Sequence, residues 1–360
     1  MKILYFTVNM KNYTSASYQQ DLINSLEKKC EVFFWGPGFK NFNNKYDIDQ
    51  IKEIYNFSDY DPILVGHSWI SDIPFNKNQN KKNYYKWINE KDIDKNSLEY
   101  CGQLDFKSHK GLKIFLLNKE YISLDEKLKF AKKNEFDFVL SSNTNHKKYE
   151  KITKIKFIYF PYAVRDEFLE KKNIKKKYDF FFSGLIQNQY HYKIKKERSK
   201  RLIIQDRLFY SPLGIPLLKK KNEFNIYWNI YTGIKFKDFI LKFLRKYKRL
   251  PENEYIIKLN ESRVVLNTLS PDNLIGPRFY ETMASKAVCL TEESEILHDV
   301  FKPMEHYVPL EKDENILEKI RFCLSDSKEI NYIIDNAFNY VKSFHTYERR
   351  SQQILELFHK

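Results

Sequence analysis

A short segment in the second half of the chain combines a helix start with a positive and a negative side chain. Residues 273–291 contain Gly276, Pro277 and Arg278 in succession, with Glu281 one helical turn into the segment. Pro277 suits the first position of a helix, because its missing N–H would have no partner there in any case. The helix start directs unpaired N–H groups and the positive end of the helix dipole at whatever lies in front of it. The segment therefore predicts an anion site suited to a phosphate.

Side chains of the same predicted helix, 278–287, could extend the phosphate site to a nucleotide sugar. Arg278 offers a fixed cationic fork for a diphosphate, and Glu281 can accept hydrogen bonds from two neighbouring hydroxyls, such as those of a ribose. Phe279 and Thr282 are assigned to the same binding set. An ordinary helix start is the alternative, in which Glu281 only favours the helix dipole and Arg278 is solvated.

The composition limits the classes of protein to consider. The chain has 360 residues, enough for two domains. Its hydrophobic fraction of 42% and aromatic fraction of 16% allow a sizeable core, and its charged fraction of 30% is typical of a soluble protein. The net charge of +15 fits an anionic ligand, an anionic membrane surface or nucleic acid.

The four cysteines, Cys30, Cys101, Cys289 and Cys323, are scattered along the chain. No C-x-x-C pair is present, so neither a zinc site nor a disulfide framework is expected, and reduced thiols fit a cytoplasmic protein. The chain starts with an apolar run that is too short for a signal peptide. No stretch approaches the ~18–20 apolar residues of a membrane span. We therefore expect a cytoplasmic location.

Apolar runs alternate with amphipathic segments along the first half of the chain. Predicted strands lie at 2–8, 31–35, 62–66, 111–117, 136–140 and 156–160, with helices at 18–29, 48–55 and 124–133. This alternation predicts a parallel, Rossmann-like α/β sheet. Because the sequence lacks G-x-G-x-x-G, no dinucleotide cofactor is indicated.

The second half repeats the alternation of strands and helices. Predicted strands lie at 178–184, 224–228, 264–268 and 287–291, and predicted helices at 193–203, 255–262, 278–287, 314–324, 330–344 and 346–359. The strand at 178–184 runs into Ser183 and Gly184, a tight turn that brings backbone N–H groups close to a ligand. The lysine-rich segment 171–177 is the predicted linker. The chain is thereby divided into domains 1–170 and 171–345 and a final helical segment, 346–360.

Four segments of the second half, 178–184, 255–267, 276–284 and 343–349, occur in the order found in GT-B glycosyltransferases. The sequence resembles the CgeB-like branch, a glycosyltransferase family 1-like group of spore-maturation and surface-glycan enzymes, over roughly residues 178–355. The resemblance implies an α/β fold of two Rossmann-like domains that face each other across a cleft, with the C-terminal helix crossing back to the N-terminal domain. The C-terminal domain would hold a nucleotide sugar, and the N-terminal domain a glycan, lipid-linked or protein acceptor.

The resemblance also implies roles for individual residues. Glu281 matches the glutamate that binds the donor ribose, and Ser183 and Gly184 match the turn that faces the diphosphate. Arg278 matches a phosphate contact. The partner glutamate of the motif falls at Asn273, and this departure leaves open whether the reaction retains or inverts stereochemistry. The resemblance implies neither a metal nor another cofactor, because no D-x-D motif is expected in this fold.

Transfer of a sugar requires stabilisation of the leaving nucleoside diphosphate, which gains negative charge as the glycosidic bond breaks. Without a divalent ion, the helix dipole, backbone N–H groups and cationic side chains must supply this stabilisation. Arg278, Lys258 and Arg198 are the candidate cations, with a solvated basic face as the alternative for Lys258 and Arg198. An inverting reaction also needs a base for the acceptor proton. His67 and Glu120, which follow strands of the first half, are the candidates.

Two other classes of function remain open. Basic stretches at 171–177, 193–201 and 236–249 interleave with aromatic residues, as in nucleic-acid-binding proteins, although no RRM, KH or helix-turn-helix signature is present. The other is a GT-B domain that only binds its ligand, because Asn273 replaces a glutamate. The segment 236–250 is amphipathic and basic, which would also allow peripheral contact with an anionic membrane.

Overall fold

The computed structural model of the chain describes residues 1–9, 17–36, 38–43, 45–66, 104–117, 120, 124–170, 174–185, 209–210, 217–218, 224–231, 250, 252–270, 273–311 and 314–359. The chain divides into two compact units. The first comprises Met1–Tyr162 and Tyr347–Lys360, and the second comprises Ala163–Thr346. The boundaries predicted from the sequence follow residues 170 and 345.

In the described part of the first unit, six parallel strands form one sheet: β1 (Lys2–Phe6), β2 (Glu31–Trp35), β3 (Ile63–Val65), β4 (Lys113–Leu117), β5 (Phe138–Ser141) and β6 (Lys156–Tyr159). They lie in the order β2-β1-β3-β4-β5-β6. Each corresponds to a predicted strand, with ends that differ by at most two residues. Apolar runs mark these strands because a parallel sheet is covered on both faces, so successive side chains are buried, as along all of β3.

The described helices of the first unit's N-terminal segment are α1 (Ser17–Glu27), α2 (Ile48–Ile54), α3 (Leu124–Lys133) and α4 (Lys147–Thr153), with a 3₁₀ turn at Phe57–Asp59. A capping box starts α2: the Asp47 carboxylate accepts from the Gln50 N–H, and the Gln50 side chain accepts from the Asp47 N–H. The core of the unit is rich in aromatic rings, since Phe6, Trp35 and Phe115 are each at most 1% exposed.

The described strands of the second unit are β7 (Tyr178–Leu185), β8 (Phe209–Tyr210), β9 (Leu217–Leu218), β10 (Ile226–Tyr231), β11 (Ser262–Asn267), β12 (Val288–Glu292) and β13 (Val308–Leu310). β8 and β9 pair with each other, and the others form a parallel sheet in the order β10-β7-β11-β12-β13. β7 pairs with β10 on one side and with β11 on the other, so the direction of winding reverses between β7 and β11. Ligands of open α/β sheets bind outside the carboxyl ends of the strands at such a switch point.

The described helices of the second unit are α5 (Asp166–Leu169), α6 (Glu252–Asn260), α7 (Pro277–Ala284), α8 (Glu295–His298), α9 (Ile316–Leu324) and α10 (Lys328–Phe344). α7 connects β11 to β12 and therefore begins at the carboxyl end of β11, beside the switch point. Its inner face is buried, with Phe279, Thr282 and Met283 at most 1% exposed. Asn267, at the end of β11, anchors the helix: its Nδ2 donates to Thr282 Oγ1 at 3.0 Å and to Cys289 Sγ at 3.3 Å.

The final elements, α11 (Tyr347–Leu355) and a 3₁₀ turn (Glu356–His359), belong to the first unit. Arg350 Nε donates to the Pro161 carbonyl at 2.7 Å, and Gln353 Nε2 donates to the Tyr159 carbonyl at 3.0 Å. These bonds satisfy carbonyl groups at the end of β6 and just beyond it. The C-terminal helix is thereby tied to the edge of the first unit's described sheet.

A desolvated lysine lies at the far end of α7. Lys176 Nζ donates to the carbonyl oxygen of Ser285, the residue that follows α7, at 2.9 Å. Burial, together with the nearby positive charges of Arg263 and Lys286, lowers the pKa of Lys176 to about 8. Because the unfolded chain would keep this proton up to about pH 10, the charged lysine costs stability at neutral pH and the cost disappears as the pH rises.

We predict that Lys176→Met stabilises the protein at about pH 7.5 and that this gain shrinks as the pH rises through about 8 to 10. The gain in the free energy of unfolding is about 3 kcal/mol at most, which corresponds to the difference between the pKa of Lys176 in the folded chain and its pKa in the unfolded chain. Thermal unfolding of wild type and variant across this pH range measures the gain. Lys175→Met, at an exposed neighbouring position, is the control and should show no such trend. A gain from Lys176→Met that is constant with pH would contradict the lowered pKa assigned to Lys176.

Candidate functional site

The start of α7 is arranged as an anion site. Gly276 precedes the helix in an extended conformation, and Pro277 is the first helical residue. Among the described residues, no side chain caps the first turn of this helix. The loop before it is closed by a hydrogen bond from the Ser270 N–H to the Leu274 carbonyl at 2.8 Å. The helix start therefore presents backbone N–H groups and the positive end of its dipole at the carboxyl end of the sheet.

The end of β7 meets the start of α7 through Arg278. Gly184 has φ +154°, a backbone conformation that residues with a side chain rarely adopt. A Cβ atom on Gly184 would lie 3.2 Å from Arg278 Nη2 and 3.3 Å from Nη1. The guanidinium thus packs on the Gly184 backbone, and its carbon lies 5.6 Å from the centre of the Phe182 ring. Glycine suits this position because a side chain would be strained at this φ and would press against the guanidinium.

Glu281 lies beside Arg278 on α7 and is held by a tyrosine of α6. Tyr255 Oη donates to Glu281 Oε2 at 2.9 Å, and the Arg278 guanidinium interacts with the same hydroxyl. Burial, then the Glu281 carboxylate, raises the pKa of Tyr255, so the phenol stays protonated and acts as the donor. Glu281 itself is half-buried. The prediction from sequence missed Tyr255, because no spacing rule relates a residue of α6 to one of α7.

Ser183 supports the end of β7 from the opposite side. It is 9% exposed, and its Oγ accepts from Asn229 Nδ2 at 3.0 Å across the β7–β10 pair. Side chains alternate between the two faces of a strand, so Ser183 and Gly184 do not share a face. The structure therefore brings Gly184, rather than the Ser183 side chain, against Arg278.

The structure rules out a ligand-binding role for the side chains of Phe279 and Thr282, which are assigned to the binding set. Phe279 is 1% exposed and stacks on Phe301 with ring centres 6.4 Å apart. Thr282 is fully buried, and its hydroxyl accepts from Asn267. Both side chains hold α7 on the sheet, so only their backbone groups remain for a ligand.

The structure also corrects the role predicted for Lys258. Its Nζ donates to Tyr178 Oη at 3.0 Å and to Glu261 Oε2 at 3.1 Å. The Tyr178 hydroxyl and the Glu261 carboxylate raise the pKa of this lysine. Tyr178 begins β7, and Gly184 lies about 20 Å further along the strand at the usual rise per residue. Lys258 is thus committed to an ion cluster at the opposite end of the sheet.

Glu120, a predicted base, lies in the first unit at the carboxyl end of β5. Its side chain is 2% exposed, and its Oε1 accepts from Ser141 Oγ at 2.6 Å. Burial raises the pKa of Glu120, and the hydrogen bond from Ser141 opposes this shift. A raised pKa suits a proton acceptor, but a base must also reach the acceptor hydroxyl, and the buried carboxyl contacts Ser141.

Asn273, where the sequence departs from the paired-glutamate motif, has a left-handed backbone conformation. Asn273 has φ +60° and an exposed side chain. Asparagine tolerates this left-handed conformation better than most residues with a side chain, including glutamate. Glu135 of the same chain has φ +52°, so this backbone conformation suits asparagine but does not by itself account for the absence of a glutamate.

Several predictions fall outside the described residues. These are the roles of His67 and Arg198 and the basic stretches 193–201 and 236–249. In the described ranges, no group of three or more His, Cys, Asp or Glu residues is placed to hold a metal ion. No helix in those ranges is both long enough and apolar enough to cross a membrane.

Residues 217–356 match the family model described as Glycosyl transferase-like. This segment contains both Tyr255 and the whole of α7, and it begins after Gly184. No curated protein matches the sequence.

Solved structures match the chain over nearly its whole length. Sucrose-phosphate synthase from Thermosynechococcus elongatus is 9% identical, with a TM-score of 0.60 over 100% of this chain and 98% of that one. Anabaena HepE in complex with UDP-glucose is 11% identical, with a TM-score of 0.59 over 100% and 99%. T4 phage β-glucosyltransferase is 16% identical, with a TM-score of 0.52 over 99% and 98%.

The chain has the GT-B fold. The predicted fold class and the resemblance to GT-B glycosyltransferases are thereby confirmed. Glycosyltransferase is the enzyme class that the family match and the GT-B fold together indicate. The comparisons do not separate the CgeB-like branch from other GT-B proteins.

We predict that the cost of Gly184→Ala depends on Arg278. In the wild-type background the substitution should lower the free energy of unfolding by ~1–3 kcal/mol, from the unfavourable φ and from displacement of the guanidinium. In an Arg278→Ala background there is no guanidinium to displace, so Gly184→Ala should lower the free energy of unfolding by less. Urea denaturation of the two single variants and the double variant measures this coupling.

Gly66→Ala in the first unit is the matched control, since its Cβ would lie 3.1 Å from Leu116 Cβ and not near Arg278. Its cost should be the same in both backgrounds. Equal costs of Gly184→Ala in the two backgrounds would show that Arg278 does not pack on Gly184 in solution.

Proposed function

We propose that the second unit binds a nucleotide-diphosphate sugar and that the chain transfers the sugar to an acceptor hydroxyl. The contact between the Arg278 guanidinium and the Gly184 backbone carries this proposal. It places a fixed cation next to a glycine near the end of β7 and next to a helix start, at the switch point of an open parallel sheet. A diphosphate fits these donors, and UDP-glucose bound to Anabaena HepE supports a uridine nucleotide as the first donor to test.

The chemistry of the proposed site follows from the charge of the leaving group. As the glycosidic bond breaks, the second phosphate gains negative charge. The N–H groups and dipole of α7 lie in place before the reaction, and Arg278 adds a charged donor that can bind a phosphate in a bidentate manner. With Lys258 engaged elsewhere, Arg278 is the predicted cation that the described residues leave for this role. We propose that these groups act without a divalent metal.

The nucleoside would be held by Glu281. A carboxylate that accepts from both hydroxyls of a ribose discriminates a nucleoside from a simple phosphate. Glu281 is close to Arg278 along α7, so the ribose and the diphosphate of one ligand would contact neighbouring positions of the helix. Tyr255 fixes one carboxylate oxygen by the 2.9 Å hydrogen bond.

The acceptor side of the reaction rests on the first unit. The proposed acceptor is a hydroxyl of a glycan, a lipid-linked intermediate or a protein. His67 or Glu120 would take its proton in an inverting reaction. The raised pKa of Glu120 favours proton uptake, whereas its burial requires that the carboxyl become accessible when the acceptor binds. Replacement of each residue singly, with the donor site intact, separates these two candidates.

We predict that Arg278→Ala lowers turnover of the nucleotide sugar ~10²–10³-fold, because one preorganised donor to the leaving group is lost. The donor is first identified by thermal stabilisation with a panel of nucleotides and nucleotide sugars. Hydrolysis of that donor and its transfer to acceptors are then followed by release of the nucleoside diphosphate.

Arg263→Ala is the matched control for Arg278→Ala. Arg263 lies in the same unit, and its Nη2 bonds Asp326 Oδ1 at 2.7 Å and the Leu324 carbonyl at 2.9 Å. Its loss should leave turnover within about twofold, since surface ion pairs contribute little. Turnover of Arg278→Ala within a few-fold of wild type would contradict the role proposed for Arg278.

A further inference from the structure

One phenol links the two charged side chains of the candidate donor site. Tyr255 Oη donates to Glu281 Oε2 at 2.9 Å and also interacts with the Arg278 guanidinium. The tyrosine lies on α6 and both of its partners lie on α7, so the contact joins two helices. The Tyr255 ring packs near Phe181 of β7, with ring centres 6.2 Å apart. The hydroxyl is therefore placed from three elements of the second unit.

The hydrogen bond restricts the orientation of the Glu281 carboxylate. A glutamate side chain on a helix surface can rotate about several bonds, and each rotation moves both of its oxygens. A donor fixed to Oε2 selects one orientation before a ligand arrives, and such preorganisation lowers the cost of binding. Two adjacent hydroxyls on one sugar ring need a carboxylate in a defined plane, whereas a single hydroxyl does not.

We propose that Tyr255 is a positioning residue that orients Glu281 toward the 2′- and 3′-hydroxyls of the donor ribose, and thereby makes the site selective for ribonucleotides over 2′-deoxyribonucleotides. This inference rests on the proposed function, since it requires that a nucleotide bind beside Arg278. Tyr255 donates a hydrogen bond to the glutamate and acts on the ligand through it.

The contact with Arg278 adds a second constraint. The ribose and the diphosphate of a nucleotide are covalently joined, so the groups that bind them must stand at a matching separation. A hydroxyl that contacts both Glu281 and Arg278 couples the positions of the two side chains. Burial and the Glu281 carboxylate keep the phenol protonated, so Tyr255 remains the donor throughout the pH range of an ordinary assay.

The test compares binding of a ribonucleoside diphosphate with binding of its 2′-deoxy counterpart. UDP, GDP and ADP are the probes, and whichever binds most tightly to the wild-type chain is paired with its 2′-deoxy form in isothermal titration calorimetry. In the wild type we expect a clear preference for the ribonucleotide. Tyr255→Phe should weaken ribonucleotide binding about tenfold and leave 2′-deoxyribonucleotide binding within about twofold, so the preference collapses.

Tyr227→Phe is the matched control. Tyr227 is half-buried in the same unit and stacks on the same Phe181 ring, with ring centres 5.6 Å apart, and Lys258 lies over it. Loss of the Tyr227 hydroxyl should leave the affinities for the ribonucleotide and the 2′-deoxyribonucleotide unchanged.

Tyr255→Phe keeps the ring and its packing. A ¹⁹F resonance from 3-fluorotyrosine at position 255 provides a second measurement. That resonance should shift more with the ribonucleotide than with the 2′-deoxy form.

The outcomes distinguish the two levels of the proposal. Equal loss of both affinities in Tyr255→Phe, or a ¹⁹F shift that is the same for both ligands, would overturn the positioning role. Loss of ribose preference in Glu281→Gln but not in Tyr255→Phe would overturn it too, and the proposed function would stand. If neither Arg278→Ala nor Glu281→Gln alters binding of any diphosphate, the proposed function itself fails and this inference fails with it.

Discussion

The close approach of the Arg278 guanidinium to the Gly184 backbone joins the end of β7 to the start of α7. It is accommodated by a glycine near the end of β7, in a conformation with φ +154° that residues with a side chain rarely adopt. It also depends on α7 beginning at Pro277, after the loop that follows β11, the strand next to β7. Because a parallel sheet aligns the carboxyl ends of its strands, the end of β7 and the helix that follows β11 meet at one edge. The anion-binding character of that edge follows from this geometry.

Buried residues of α7 hold its half-buried charged residues in place. Phe279 stacks on Phe301, and Thr282 accepts a hydrogen bond from Asn267 inside the unit. Residues three or four positions apart on a helix share a face, so the buried and charged positions alternate along α7. Arg278 and Glu281 are thus presented from a helix that cannot easily rotate. Side chains of this short helix therefore serve either packing or binding, according to the face on which they lie. Residues next to each other in sequence lie on different faces and cannot be given the same role.

The sequence predicts elements well where apolar runs or helical periodicity are strong, and it fails where both are weak. All six described strands of the first unit were found, whereas α4, with the polar sequence KKYEKIT, has no clear apolar face. β13 was also missed: it has three residues and contains Pro309, which an edge strand tolerates. The part of the site at Pro277–Glu281 could be predicted from the sequence, because its residues lie close together along the chain. The sequence gives no role to Tyr255 and offers Lys258 as a candidate cation, because the position of each residue depends on which end of the sheet the corresponding end of α6 reaches.

Hydrogen–deuterium exchange of the full chain, with and without the nucleoside diphosphate that stabilises it most, tests most directly whether the end of β7 and the start of α7 form one diphosphate site. Bound phosphate should protect the backbone amides of residues 278–281 and of residues 183–185 together, because both segments would donate to or enclose the same ligand. Protection that is absent from both segments, or confined to the first unit, would contradict a nucleotide site at this edge of the sheet.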